Sequence, residues 1–263
     1  MKIDFHTHGK LAKKLPFSGA YTSWLLTEAK TAGLDAICLT EHFNTIGFQE
    51  IYQYLENHYE KEGDCYVTDQ GLKLFPGMET DIAEGGHVLS IGPSDQILEL
   101  NQRLEPYKEK GNFLPFETLG PYFDSYDLLV GAGHPYREGG HIPELSDHLI
   151  RKFDFFDLNG KDIAEDEAGT KEKVYALAGK FDKKVAAGSD THQSFQYGCI
   201  YNVFEKECVT VKEIREQIEK EAYEIRISQM ASFQVKTAGL LKKSLKEINA
   251  LGGDYVTLLV KGA

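Results

Sequence analysis

Two histidines separated by one residue follow a short apolar run at the start of the chain. Ile3 and Phe5 alternate with polar residues, and the run ends in His6-Thr7-His8. Because side chains alternate along a β-strand, we expect both imidazoles on the same face at the strand's C-terminal end. Two imidazoles held side by side provide half of a typical metal site. The same pair can also arise by chance, so the rest of the sequence has to decide.

Residues of the same chemical kind recur near the ends of other predicted strands. They are His42, Glu79, His134, Asn159, Asp190 and His192, with His87 where a strand opens. In a β/α barrel the C-terminal ends of the strands converge on one face, so such side chains would meet in space. Any one of these histidines alone is best interpreted as a capping or core residue. Their joint occurrence at separate strand ends instead favours a metal site.

The elements that would position these residues alternate between strands and helices. Strands are predicted over 34–40, 72–75, 86–92, 128–133, 153–158, 184–188 and 199–204, and helices over 21–32, 48–61, 167–181, 211–222 and 232–249. The segment 94–127 is interpreted as helices joined by long loops. Strands alternating with helices are typical of α/β proteins with a parallel sheet, and six or seven such units favour a closed barrel.

Composition limits the classes of function. The 263 residues carry a net charge of −12, which disfavours sequence-independent adhesion to long nucleic acid but not a small anion at a local cationic centre. The four cysteines have no CxxC spacing and are expected to be reduced structural thiols. We find no leader-like or membrane-spanning apolar run, so we expect a cytoplasmic protein with no membrane contact. The sequence indicates no oligomeric state.

The pattern of motifs resembles the PHP family, the polymerase and histidinol phosphatase domain. The resemblance is carried, within residues 1–205, by Asp4-Phe5-His6-Thr7-His8, Thr40-Glu41-His42, Gly77-Met78-Glu79, His87-Val88-Leu89, His134-Pro135-Tyr136-Arg137 and Ser189-Asp190-Thr191-His192. It implies an α/β fold, a distorted (β/α)7 TIM-like barrel with the metal site at the C-terminal ends of the strands. A single domain over 1–263 is expected, in which helices and a strand of 206–263 complete the barrel.

The resemblance also implies two or three divalent metal ions and a division of the ligands among them. His6, His8, Glu79 and Asp190 would hold one metal, Glu79 would bridge to a second held by His134 and His87, and His42 and His192 would serve a third. Two departures bear on the third metal. The loop 9–14 lacks the acidic residue that many family members have after the histidine pair, and Glu41 replaces the usual aspartate.

Mixed histidine and carboxylate ligation suits zinc, manganese or iron. Two such metals can bind a phosphate and activate a water molecule. Arg137 could bind the phosphate with its fork of donors, or it could form a salt bridge to Glu138. Asp190 or His192 could pass a proton to the leaving group, although a ligand role is the simpler assignment.

Three lysines, Lys10, Lys13 and Lys14, follow the histidine pair. They could attract a phosphorylated substrate or form a solvated basic loop. His58 and His148 lie in charged helical runs and are expected at the surface, whereas His141 is equally compatible with a surface position and with the site.

Three functions remain open at this stage. The leading one is a metal-dependent phosphoesterase that hydrolyses a small phosphomonoester, similar to the histidinol-phosphate phosphatases of the family. The second is a nuclease or nucleotide phosphatase, and the third is a non-catalytic domain that keeps metal for structure or partner binding. A small phosphorylated substrate is the expected partner, and long nucleic acid is disfavoured.

Overall fold

The structure is a computed structural model that describes residues 1–260. Its strands are β1 (Lys2–Thr7), β2 (Ala36–His42), β3 (Glu60–Glu62), β4 (Cys65–Val67), β5 (Lys73–Asp81), β6 (His87–Ile91), β7 (Leu129–Gly133), β8 (Phe155–Asn159), β9 (Lys184–Gly188), β10 (Ile200–Phe204) and β11 (Tyr223–Ile227). Its helices are α1 (Gly19–Thr31), α2 (Phe48–His58), α3 (Ser94–Arg103), α4 (Phe116–Phe123), α5 (Asp147–Ile150), α6 (Gly160–Glu165), α7 (Glu167–Phe181), α8 (Val211–Glu219), α9 (Ala231–Ala250) and α10 (Tyr255–Val260). Single 3-10 turns occur at Glu105–Tyr107, Ile142–Glu144 and Ser194–Gln196.

The strands form a nearly closed ring in the order β1-β2-β5-β6-β7-β8-β9. β9 meets β1 at the C-terminal ends of both, where Thr7 and Thr191 form a parallel bridge and the Asp190 amide donates to the His6 carbonyl at 2.7 Å. The first residues of β1 pair instead with β10, which carries β11 on its other edge. The distorted barrel predicted from the sequence is confirmed, with β10 and β11 extending the sheet outside the ring.

One ring strand runs against the others. β6 is antiparallel to both β5 and β7, whereas the other paired neighbours in the ring are parallel. The chain reverses before β6 at Gly85 and Gly86, whose φ angles of 90° and 122° favour glycine. His87 is therefore the first residue of β6 and yet pairs with Gly133, the last residue of β7. The reversal brings a strand's beginning to the face where its neighbours end.

Apolar side chains from every ring strand fill the ring below that face. Ile3, Phe5, Phe75, Leu129 and Phe155 belong to this inner cluster and are fully buried. Phe5 packs edge-on against Phe155 with ring centroids 5.4 Å apart. The opposite faces of the same strands pack against the helices in a second cluster. Both layers make the strand ends a rigid platform for polar side chains.

Several boundaries differ from the sequence predictions. α2 ends at His58, and the short β3–β4 hairpin follows it instead of three further helical residues. β5 extends to Asp81, so Glu79 lies inside a strand rather than after one. The single domain over 1–263 stays a prediction, and residues 261–263 lie outside those described. No helix within residues 1–260 is long and apolar enough to cross a membrane.

Candidate metal centre

The eight residues predicted as metal ligands lie together at the C-terminal face of the ring. Most of them are buried, while the side chains of His42 and His87 are 14% and 25% exposed. Their ligand atoms form three groups, each with all atoms within 4.8 Å of one another: His6, His8 and Asp190; Glu79, His87 and His134; His8, His42 and His192. The structure therefore brings together every ligand that the sequence predicted.

Glu79 lies at the centre of this arrangement. Its Oε1 atom is 3.4 Å from His6 Nε2 and 3.2 Å from His134 Nε2, and it also contacts His87 Nδ1. Its Oε2 atom is 2.8 Å from His42 Nδ1 and 3.5 Å from His8 Nε2. The two oxygens of one carboxylate thus point to two different sets of imidazoles.

His8 is shared between two of the groups. Its Nε2 atom is 3.3 Å from Asp190 Oδ1, and its ring stacks on those of His42 and His192 with centroids 4.5 and 3.9 Å apart. The ring of His6 is 5.3 Å away on the other side. His8 is therefore the third member of the group that contains His42 and His192. The loop 9–14 has no acidic residue that could take this position.

Two of the candidate ligands have a backbone conformation that is unusual for residues other than glycine. His134 has a φ of 29° and Asp190 a φ of 57°. The amide of His134 donates to Asp157 Oδ2 at 3.2 Å, and that of Asp190 donates to the carbonyl of His6 at 2.7 Å. Strained residues of this kind persist where surrounding contacts fix them, and they concentrate at functional sites.

Two carboxylates hydrogen-bond to the second ring nitrogens of candidate ligands, and a third, Glu41, lies at ion-pair distance from His8. Asp157 Oδ2 lies 2.9 Å from His6 Nδ1, Asp81 Oδ1 lies 3.1 Å from His87 Nε2, and Glu41 Oε1 lies 3.5 Å from His8 Nδ1. A carboxylate on the second ring nitrogen fixes the tautomer and orientation of a metal-binding histidine.

Sequence reasoning missed Asp81 and Asp157. A signal for Asp157 was available, because an acidic residue within the otherwise apolar strand Phe155–Asn159 must be buried with a polar partner. No comparable signal marks Asp81, which follows Glu79 by two residues at the end of β5.

The carboxylates give the site a strong preference for positive charge. Burial lowers the pKa of His87, but Glu79 and Asp81 outweigh burial and raise it to about 10. Burial is likewise outweighed at His6 and at His8, whose pKa values are raised by neighbouring carboxylates. Burial followed by the charge of Arg137 lowers the pKa of His134 to about 4.

The donor atoms fit divalent metal ions. Among the residues described, several buried atoms of the site form no hydrogen bond: His6 Nε2, both ring nitrogens of His8, His42 Nδ1 and Glu79 Oε2. Buried polar atoms are normally satisfied, and here the unsatisfied ones point toward one another. Imidazole nitrogens and carboxylate oxygens in this mixture are ligands for zinc, manganese or iron.

The cationic side chains near the site differ in how many of their N–H donors already bind protein acceptors. Arg137 donates through Nε to Asp162 at 2.9 Å, through Nη1 to Asp190 at 2.7 Å and through Nη2 to Asn159 at 2.6 Å. Lys161, which the sequence analysis did not single out, lies 2.8 Å from the same Asp190 carboxylate. The predicted role of Arg137 as a phosphate ligand stays a prediction.

The three lysines of the basic loop 9–14 differ in their distance from the site and in their contacts. Lys10 is buried and donates to Thr45 Oγ1 at 3.0 Å and to the carbonyl of Ile46, so its ammonium is already satisfied. Lys13 lies 3.9 Å from Asp81, beside His87. Lys14 is exposed.

The remaining histidines lie outside the cluster. His58, His141 and His148 are all exposed, and His141 pairs with Glu144 at 3.0 Å.

Comparison with known proteins identifies the fold. Residues 170–223 match the family model PHP_C, described as PHP-associated. The crystal structure of PsfC from Pseudomonas syringae PB-5123 is similar over 93% of this chain and 98% of that protein, with a TM-score of 0.75 and 22% identity. The chain has the fold of the PHP domain family. The family resemblance seen in the motifs of the sequence is thereby confirmed.

Two further PHP-fold structures are similar to this chain. The lesion-specific endonuclease PfuEndoQ from Pyrococcus furiosus has a TM-score of 0.63 and 19% identity over 85% of this chain, which spans 57% of that protein. A candidate metal-dependent phosphoesterase from Bifidobacterium adolescentis has a TM-score of 0.50 and 16% identity over 83% of this chain and 96% of that protein. No curated protein has a significantly similar sequence.

Proposed function

We propose that this protein is a metal-dependent phosphoesterase that hydrolyses a small phosphomonoester, as histidinol-phosphatase does. The position of Glu79 carries the proposal, because its two oxygens point to two separate sets of imidazoles. A carboxylate so placed could be shared by two cations, as in the two-metal sites of hydrolases. The likeness of the fold to a candidate metal-dependent phosphoesterase supports the same reaction class.

The residues would hold two or three divalent metals. Glu79 would join the pair formed by His87 and His134 to the group of His6, His8 and Asp190, and His42 with His192 would complete a third site. When bound, the metals would bind the phosphate oxygens and lower the pKa of a water molecule toward about 7.

Residues of this chain would then orient and neutralise the reacting group. Asp157 keeps the imidazole of His6 turned toward Glu79 through its contact at 2.9 Å with Nδ1. Arg137 and Lys161 both contact one oxygen of Asp190, which leaves the other oxygen directed at His8. Asp190 or His192 could deliver a proton to the leaving alkoxide, although a ligand role is the simpler assignment.

A cavity of about 480 Å³ is lined in part by the two cations that contact Asp190, and it supports a small substrate. Its lining includes Tyr136, Arg137, Lys161, Asp162 and Lys173. Because Arg137 and Lys161 both contact Asp190, a leaving group in this cavity could keep its phosphate near the cluster. The volume suits a small molecule better than a duplex, and the net charge of −12 agrees.

A panel of phosphate esters tests the proposal. Protein purified without chelator should contain at least two divalent metals per chain by elemental analysis. It should hydrolyse histidinol phosphate or another small phosphomonoester, with nucleotides and a short oligonucleotide compared in parallel. One metal or none per chain would contradict the proposed site.

The endonuclease alternative is favoured by one observation, the likeness of the fold to PfuEndoQ. Cleavage of the oligonucleotide with no hydrolysis of small esters would favour it. Full metal content without turnover of any substrate would favour a non-catalytic metal-binding domain.

A further inference from the structure

Two cations contact Asp190 at the mouth of the metal centre, and a third, Lys242, lies near enough for the charge of Asp190 to act on it. Arg137 has its three nitrogens engaged by Asp162, Asp190 and Asn159. Lys161 contacts Asp190 at 2.8 Å but keeps 32% of its side chain exposed. Lys242 makes no hydrogen bond or ion pair with any residue in 1–260. Arg137 thus has three of its five N–H donors committed to protein partners, whereas Lys161 has one of three engaged and Lys242 none within this range.

Lys242 comes from α9, in the C-terminal part of the chain. The buried residues of this helix include Ala238 and Leu245, four positions before and three positions after Lys242. This spacing places Lys242 on the helix face that packs against the protein. α9 packs on α6, which begins at the end of β8, and on the 3-10 turn Ser194–Gln196 that follows His192. α9 thus places Lys242 at the edge of the cluster of candidate metal ligands.

The charge of Lys242 is unfavourable in this position. Burial and the nearby ammonium of Lys161 lower the pKa of Lys242 to about 8, although Asp190 and Glu41 oppose this. A partly buried ammonium without a partner is costly unless an anion binds beside it.

We propose that Lys242, together with Lys161, binds the phosphate group of the substrate at the mouth of the metal centre. This inference rests on the proposed phosphoesterase function and assigns one of the two substrate-binding cations, Lys242, to a helix outside the motif region 1–205. The three donors of Lys242, and those of Lys161 that do not contact Asp190, can rotate toward phosphate oxygens, whereas the rigid guanidinium of Arg137 is held by its own partners. α9 would then determine which phosphorylated compounds the site accepts.

Binding of inorganic phosphate to the metal-loaded protein tests this directly, without turnover. By calorimetry, Lys242→Met should weaken phosphate binding by about 10- to 100-fold, the effect of losing a charged hydrogen bond. Metal content should not change. Lys243→Met is the matched control, because Lys243 is the next residue on α9 and is exposed. It should bind phosphate as the wild type does.

Lys242→Arg keeps the charge and should bind phosphate within a few fold of the wild type. Lys242→Gln, which removes the charge but keeps a polar side chain, should weaken phosphate binding as Lys242→Met does and replaces that variant if it does not fold. Equal phosphate affinity in the wild type and in Lys242→Met would overturn the inference. A loss of affinity in Lys243→Met as large as that in Lys242→Met would also overturn it. Phosphate binding that depends on Lys242 in a protein that hydrolyses no ester would support the inference while rejecting the proposed function.

Discussion

The two sides of the metal centre are built differently. On one side, six of the candidate ligands come from β1, β2, β5, β6 and the end of β7, and their imidazoles surround the buried carboxylate of Glu79. On the other side, Asp190 meets Arg137 and Lys161 at a partly exposed mouth, with Lys242 nearby on α9. The carboxylates of the strand side favour the binding of metal cations, whereas the cations of the mouth favour the binding of an anion.

This difference separates two tasks. The strand side is fixed by backbone pairing and by packing below it, which suits ligands that must hold metals at set distances. The mouth is assembled from helices and loops that can vary without moving the strands. Loss of a metal ligand on the strand side should therefore abolish activity, whereas a change at the mouth should alter substrate binding in graded steps.

The largest effect is expected for Glu79→Gln. An amide cannot offset the charge of two cations as a carboxylate does, so kcat should fall by at least about 10³-fold. The fold should remain intact, because Glu79 contacts the site and not the apolar core. Steady-state kinetics and elemental analysis measure the effect, with Glu144→Gln at the exposed surface as the control. Wild-type turnover with both metals bound would show that Glu79 is not the bridge.

On the mouth side, Arg137→Ala should lower kcat/KM by about 10²-fold. Metal content should be unchanged, since Arg137 has no lone pair for a metal and Lys161 still pairs with Asp190. Arg137→Lys should recover only part of the loss, because one ammonium cannot replace three engaged nitrogens.

The outcome also decides between two roles of Arg137. If metal content falls with activity, Arg137 acts by positioning Asp190. If thermal stability falls while kcat/KM stays within a few fold of the wild type, its contacts are structural and its predicted phosphate role is wrong.

The supporting carboxylates of the strand side are expected to have intermediate effects. Asp157→Asn should lower metal affinity or activity by about 10- to 100-fold, because it disturbs the orientation of His6. Asp81→Asn should cost less, since His87 and Asp81 are 25% and 15% exposed and solvent can replace the lost contact. Metal titration of both variants compares the two. A larger loss for Asp81→Asn would contradict this ranking.

The two sides also differ in how well the sequence predicts them. The ligand motifs are short and lie at strand ends, so alternation and the barrel rule are enough to bring His6, His8 and Glu79 together. The antiparallel course of β6 was not visible, because periodicity identifies a strand but gives no direction. Lys161 is the one lysine of the short helix α6 and Lys242 is one of four lysines on α9, and only three-dimensional packing shows which lysines lie near the site.

The smallest effect is expected for the basic loop, and the structure divides its lysines. Lys13→Ala should raise KM by about two- to threefold at low ionic strength with little change in kcat, because a partly exposed charge near Asp81 attracts an anion only weakly. The effect should disappear in high salt, where such attraction is screened. Lys10→Ala should leave KM unchanged and lower the free energy of unfolding by roughly 1–3 kcal/mol, since Thr45 and Ile46 lose a buried donor. The triple variant with Lys14→Ala should therefore combine the KM of Lys13→Ala with the stability of Lys10→Ala. A KM increase in Lys10→Ala alone would show instead that its ammonium leaves Thr45 and reaches the substrate.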